Sequence, residues 1–145
     1  MNNKKLYDFS IRLLSKRDYS SGELKKKLLQ EDLPEEEVDT VIQLLIEHRY
    51  LNDQRLIDNL IKKNLSKLHG LTRIKQELKK KELDPFLIEE SIQKLDIDWL
   101  DICSQSKVTK FGEQIPKEQK DKARIIRYLQ YRGHAMSDIF EIISS

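Results

Sequence analysis

The chain has 145 residues, 36% charged and 38% hydrophobic, with four Gly, three Pro and one Cys. No stretch approaches the ~20 apolar residues of a membrane span, and the start MNNKKLYDFS lacks the apolar core of a signal peptide. A lone Cys103 excludes an internal disulfide, so a reduced, cytoplasmic setting is expected. The net charge of +2 conceals an uneven distribution: residues 54–96 carry ten Lys/Arg against seven Asp/Glu, residues 1–53 nine against eleven, and residues 97–145 eight against seven.

The first predicted helix covers LYDFSIRLLS, with Tyr7, Ile11 and Leu14 on one face. A helical hairpin follows, its apolar register set by Leu24, Leu28, Leu33, Val38, Ile42 and Leu45. Ser20 with Glu23 fits a capping box, and the second hairpin helix begins near Pro34. Fifty residues on, the same register returns as Ile74, Leu78, Leu83, Ile88, Ile92 and Leu95, preceded by the helical stretch RLIDNLIKKNLSKL and with Asp84-Pro85 as cap and first helical residue. A third helix pair follows after another 51 residues as Ile125, Leu129, His134, Ile139 and Ile143, preceded by a helix starting near Asp98 and a connecting loop at 109–117. Ser20, Gly70 and Asp121 share one repeat position, as N-cap residue types. Gly133 suits a left-handed helix end. The fold expected is therefore all-α: three tandem three-helix repeats, 1–53, 54–97 and 98–145, forming an elongated, curved helical array.

Chemistry that needs a motif is missing. Gly22, Gly70, Gly112 and Gly133 are scattered, with no phosphate-binding loop among them. His48, His69 and His134 lack zinc-ligand spacing and are expected as surface or turn residues, and Cys103 as a small core residue. Glu35-Glu36-Glu37 and Glu89-Glu90 are expected in the first turns of helices, where the macrodipole favours negative charge. No enzyme and no cofactor or metal are expected.

Basic residues cluster with the repeat. Arg12, Lys16 and Arg17 lead into Lys25-Lys26-Lys27; Lys62, Lys63, Lys67, Arg73, Lys75 and Lys79-Lys80-Lys81 crowd the middle copy; Lys117, Lys120, Lys122, Arg124, Arg127 and Arg132 mark the third. Gathered about the first helix of each hairpin, they predict a discontinuous basic ridge able to meet phosphates or an acidic protein surface.

Four segments, in order over nearly the whole chain, resemble the RecX family of bacterial recombination regulators. Leu14-Ser15-Lys16-Arg17-Asp18-Tyr19-Ser20 with Glu23-Leu24 is similar to that family's LSRRDRS..EL pattern, and Tyr50-Leu51-Asn52-Asp53-Gln54-Arg55-Leu56 to its GYLDD.RFA. Gly70-Leu71-Thr72-Arg73-Ile74 with Glu77-Leu78 resembles G..RI..EL, and Tyr131-Arg132-Gly133-His134 resembles RRGF. The family's hairpin-turn glycines are replaced here by Glu31-Asp32-Leu33 and Lys81-Glu82-Leu83, and its Phe by His134. The resemblance implies a monomeric modulator in DNA repair, recombination and the SOS response. Such a protein binds the RecA recombinase and its filament on single-stranded DNA, and inhibits ATP hydrolysis, strand exchange and co-protease activity. Taken with the ridge, it makes Arg17, Lys25, Lys26, Lys62, Lys63, Arg73, Lys79, Lys80, Arg124, Arg127 and Arg132 the candidate contacts to partner or DNA. Two other readings stand beside it: a weak, non-specific, salt-sensitive DNA-binding module, and a helical-repeat protein-interaction scaffold.

Overall fold

The computed structural model describes residues 2–144, and among them it contains nine α-helices and no strand. In chain order these are α1 (Asn3–Lys16), α2 (Ser21–Leu29), α3 (Glu35–Glu47), α4 (Asp53–Ser66), α5 (Leu71–Lys79), α6 (Pro85–Gln93), α7 (Trp99–Phe111), α8 (Gln119–Tyr131) and α9 (Met136–Ser144). The all-α expectation holds. Contacts divide the chain into two compact units. Unit 1 comprises the residues up to Asp58 with Leu78–Ser91; unit 2 comprises Asn59–Glu77 with the residues from Ile92 onward.

The apolar register accounts for the cores. In unit 1, Leu24 and Leu28 of α2 meet Val38, Val41, Ile42 and Leu45 of α3, with Leu6 of α1 and Leu51 closing the cluster. In unit 2, Cys103 of α7, Ile125 and Leu129 of α8, and Ile139 and Ile143 of α9 form the corresponding cluster. Each fully buried Leu or Ile contributes roughly 1.5–3 kcal/mol by leaving water. Ile74, Leu78, Leu83 and Ile88 are buried as well, whereas Leu33, Ile92 and Leu95 are half-buried. On α1 the deepest residues are Leu6 and Ser10 rather than Tyr7, Ile11 and Leu14, which pack at the margin; Ser10 is tolerated there because its hydroxyl donates to the Leu6 carbonyl.

The hairpin turns close on a left-handed residue. Asp32 (φ 57°), Glu82 (φ 51°) and Gly133 (φ 92°) occupy the same repeat position, so two non-glycine residues accept a backbone conformation that only Gly133 adopts without steric cost. Each turn after the first receives the start of a helix within its own unit. In unit 1 the Ser20 hydroxyl donates to the Lys81 carbonyl, and Gly22 lies so close that a Cβ there would sit 2.3 Å from the Glu82 oxygen. In unit 2, Gly70 N–H donates to the Arg132 carbonyl (2.9 Å) and Thr72 N–H to that of Gly133 (3.2 Å). The two interlocks match residue for residue: 20, 81 and 82 become 70, 132 and 133.

Caps define the helix starts. Ser20 and Glu23 form the full capping box, Asp98 caps α7, and the Asp84 carboxylate accepts from Phe86 N–H behind Pro85. Several local expectations are corrected. Asp121 is not a cap: α8 starts after Glu118, and Asp121 lies in its first turn. No turn carbonyl among the described residues meets Asp121 as it does Ser20 and Gly70. Helix α7 runs to Phe111, which shortens the connecting loop to 112–118. The buried Lys107 straps that loop down, its Nζ donating to the carbonyls of Gly112 (2.7 Å) and Gln114 (2.6 Å). Glu89-Glu90 lie beyond the first turn of α6, while Glu35-Glu36-Glu37 do occupy that of α3. His69 and His134 follow turns, as expected, but are buried there rather than at the surface, and only His48 is exposed.

Candidate functional site

The candidate cations fall into both units, and each set is built differently. In unit 1, Arg17, Lys26 and Lys80 line one open groove with Tyr19 and Lys27. Extended backbone at Arg17 ends α1 and turns the chain towards the capped start of α2. The capping box fixes Glu23, which then takes the Arg17 guanidinium at 3.2 Å, and that guanidinium lies 3.8 Å from the centre of the Tyr19 ring. Lys26 pairs with Glu82 at 3.5 Å. Lys25 is held by Glu35 and Asp39, both at 2.9 Å, and the hydrogen bonds it donates to Asp39 and then to Glu35 raise its pKa. Its charge is therefore largely satisfied within the chain. Lys79 and Lys80 are exposed and meet no carboxylate within 4 Å among the described residues.

Like Lys80, Lys27 has no carboxylate within 4 Å among the described residues, although the sequence did not single it out as a contact. Its spacing from Glu23 reads as an i,i+4 ion pair. Glu23 is instead used by the capping box and Arg17, which leaves Lys27 available.

In unit 2, Lys62 and Lys63 stand exposed on α4, and Arg127 on α8, each without a carboxylate within 4 Å among the described residues. Arg124 is exposed and only loosely paired with Asp121 at 3.9 Å. Arg73 is half-buried, its Nε 3.4 Å from Glu77 and its guanidinium 5.3 Å from the Tyr131 ring centre. Arg132 acts as a strut: it donates to the Lys67 carbonyl and packs over Tyr128.

A buried polar network supports Arg73. Asn64 donates to the Leu60 carbonyl (2.8 Å) and to Glu77 (2.7 Å), and its oxygen accepts from His69 Nδ1 (2.6 Å). Burial first, then the positive charges of Arg73 and Arg132, lowers the His69 pKa to about 4. Burial alone would push Glu77 up, but hydrogen bonds from Asn64 and Arg73 leave it below the ordinary carboxylate range. His134, donating through Nε2 to the Leu68 carbonyl (3.0 Å), is also lowered by burial. A histidine held neutral in the fold and protonated when unfolded costs stability below its unfolded pKa of ~6.5. The melting temperature is therefore expected to fall as pH drops from 7 towards 4, through the window between the two His69 values, and His69→Gln is expected to flatten that slope. An unchanged pH profile in the variant would show that His69 does not titrate as described.

Cys103 is buried, and burial followed by the Asp138 charge pushes its thiol up to about 12, so it is a protonated core residue. Among the described residues no group of three or more His, Cys, Asp or Glu is placed to hold a metal, and no helix is long and apolar enough to cross a membrane.

The fold and these surfaces define an all-helical protein with exposed cations left unpaired on short, capped helices. Comparison with known proteins makes the assignment specific. The family profile of the RecX first three-helix domain matches residues 7–45. The regulatory protein RecX of Acinetobacter baylyi is 41% identical over 143 residues, covering 99% of this chain and 89% of that protein. Its counterpart from Salmonella arizonae is 35% identical, covering 95% and 89%, and that from Vibrio vulnificus 33%, covering 91% and 86%. The crystal structure of RecX from Lactobacillus salivarius shares the fold at a TM-score of 0.76 and 20% identity, covering 97% of this chain and 94% of that one. The chain belongs to the RecX family.

Proposed function

We propose that this protein is a non-enzymatic regulator that binds the RecA recombinase and its filament on single-stranded DNA, lowering ATP hydrolysis, strand exchange and co-protease activity. It does so as a cytoplasmic monomer, with the segments 1–53, 54–97 and 98–145 as its three repeats. Relatives of nearly full length carry the name regulatory protein RecX, which supports a regulator. What supports the contacts is that, among the described residues, several exposed cations have no carboxylate within 4 Å, including Lys27, Lys79 and Lys80 in unit 1 and, separately, Lys62, Lys63 and Arg127 in unit 2. An exposed cation free of a partner keeps its charge for an anionic surface and loses little packing when bound.

The candidate contacts differ in weight. Lys79, Lys80, Lys62, Lys63 and Arg127 carry the docking; Arg17, Lys26 and Arg124 assist it; Lys25, Arg73 and Arg132 chiefly hold the fold. The double charge reversal Lys79→Glu/Lys80→Glu is expected to weaken binding to recombinase–DNA filaments at least tenfold in co-sedimentation, with the helical circular dichroism spectrum kept. Lys25→Ala is expected to change binding less than twofold. Equal binding by the double variant and the wild type would refute this surface.

A further inference from the structure

Lys120, Arg124, Arg127, Tyr128 and Tyr131 recur on α8 at spacings of three and four, which places all five within one arc of the helix. Lys120, Arg124, Arg127 and Tyr131 lie on the side away from Ile125 and Leu129, the buried side of α8, while Tyr128 stands at the margin and packs against that core. None of the five is acidic. Lys120 and Arg127 have no carboxylate within 4 Å among the described residues, and the one held by Arg124 is 3.9 Å away. Tyr131 is 78% exposed, with the Arg73 guanidinium 5.3 Å from its ring centre. Below it, Tyr128 is flanked by Lys110 (5.8 Å) and Arg132 (5.3 Å), and meets Phe111 edge-on at 5.3 Å.

We propose that this face of α8 binds single-stranded nucleic acid, with a base stacked on Tyr131 and phosphates on Arg127, Arg124 and Lys120. In the regulator reading, on which the assignment rests for the source of the strand, that strand is the one the recombinase coats. The chemistry decides between occupants. An acidic protein surface would be served by the cations alone and would leave the open tyrosine ring unused. A duplex hides the faces of its bases. An unpaired strand uses both features, because every base offers a π-face and every linkage a negative charge. Sequence preference is expected to be slight, since stacking and phosphate contact read no base edge.

The test uses the whole chain without recombinase, and reads fluorescence anisotropy of a labelled oligothymidylate and of a duplex of equal length. The wild type is expected to bind the single strand more tightly than the duplex. Tyr131→Ala is expected to weaken single-strand binding roughly tenfold, and Tyr131→Trp to retain it. Arg127→Ala is expected to reduce the slope of log K against log salt by about 1. Equal affinity of wild type and Tyr131→Ala overturns the proposal, as does equal binding of single strand and duplex. Displacement of the strand by polyglutamate, with Tyr131→Ala neutral, overturns it in favour of an acidic protein partner. Inhibition of the recombinase by wild type that fails to bind oligothymidylate sinks this site and leaves the regulator intact. Binding of oligothymidylate without inhibition does the reverse.

Discussion

Gly133→Ala is expected to lower the unfolding free energy by roughly 2–5 kcal/mol, measured by urea denaturation. Two costs coincide at this residue. Its φ of +92° is unfavourable for a side chain, and an added Cβ would lie 2.4 Å from the Arg73 Cβ and 2.5 Å from the Arg73 amide nitrogen. The first cost is local strain, and the second requires the start of α5 to move. Because Gly133 also accepts the Thr72 N–H, that movement breaks the interlock of unit 2. A loss below about 1 kcal/mol would mean that the turn relaxes independently of α5.

Asn64→Ala is the second large effect, with an expected loss of about 2–4 kcal/mol. Asn64 is 2% exposed and joins the Leu60 carbonyl, Glu77 and His69. Alanine leaves the His69 N–H without its acceptor in a place water does not reach, and removes one of the two donors holding Glu77. With Glu77 freed, Arg73 loses its anchor beneath Tyr131. The variant is therefore expected to show reduced stability together with altered tyrosine fluorescence, whereas the exposed substitution Asn59→Ala is expected to be neutral within about 0.5 kcal/mol. Equal unfolding midpoints for Asn64→Ala and the wild type would contradict the role given to the network.

Much of the fold was legible in the sequence because helix packing is periodic. Leu24, Ile74 and Ile125 share a register position and are all buried, as are Leu28, Leu78 and Leu129. Asp84-Pro85 and the Ser20–Glu23 box announced helix starts, since capping is local chemistry. Features that depend on distant partners were hidden. His134 sits at an apolar register position, and its burial requires the Leu68 carbonyl sixty-six residues away. Among the described residues no turn carbonyl meets Asp121 as one meets Ser20 and Gly70, and no local pattern announces that α8 starts earlier, after Glu118. Lys107 looks like any surface lysine until loop 112–118 folds over it.

The candidate contacts were legible as charge but not as available charge. Lys25, Lys26 and Lys27 are equivalent in composition, yet among the described residues two carboxylates hold the first, one holds the second and none holds the third. Only the arrangement of α2, α3 and the Glu82 turn separates them. Tyr131 gave no signal by itself, because a lone tyrosine reads as core or turn until its exposure is known.

Restraint of the RecA recombinase by this protein is tested most directly by the single-stranded-DNA-dependent ATPase of RecA, titrated with sub-stoichiometric amounts of the protein. The predicted result is a dose-dependent fall in rate that Lys79→Glu/Lys80→Glu largely abolishes. An unchanged rate at every ratio, with the protein folded, would contradict that role.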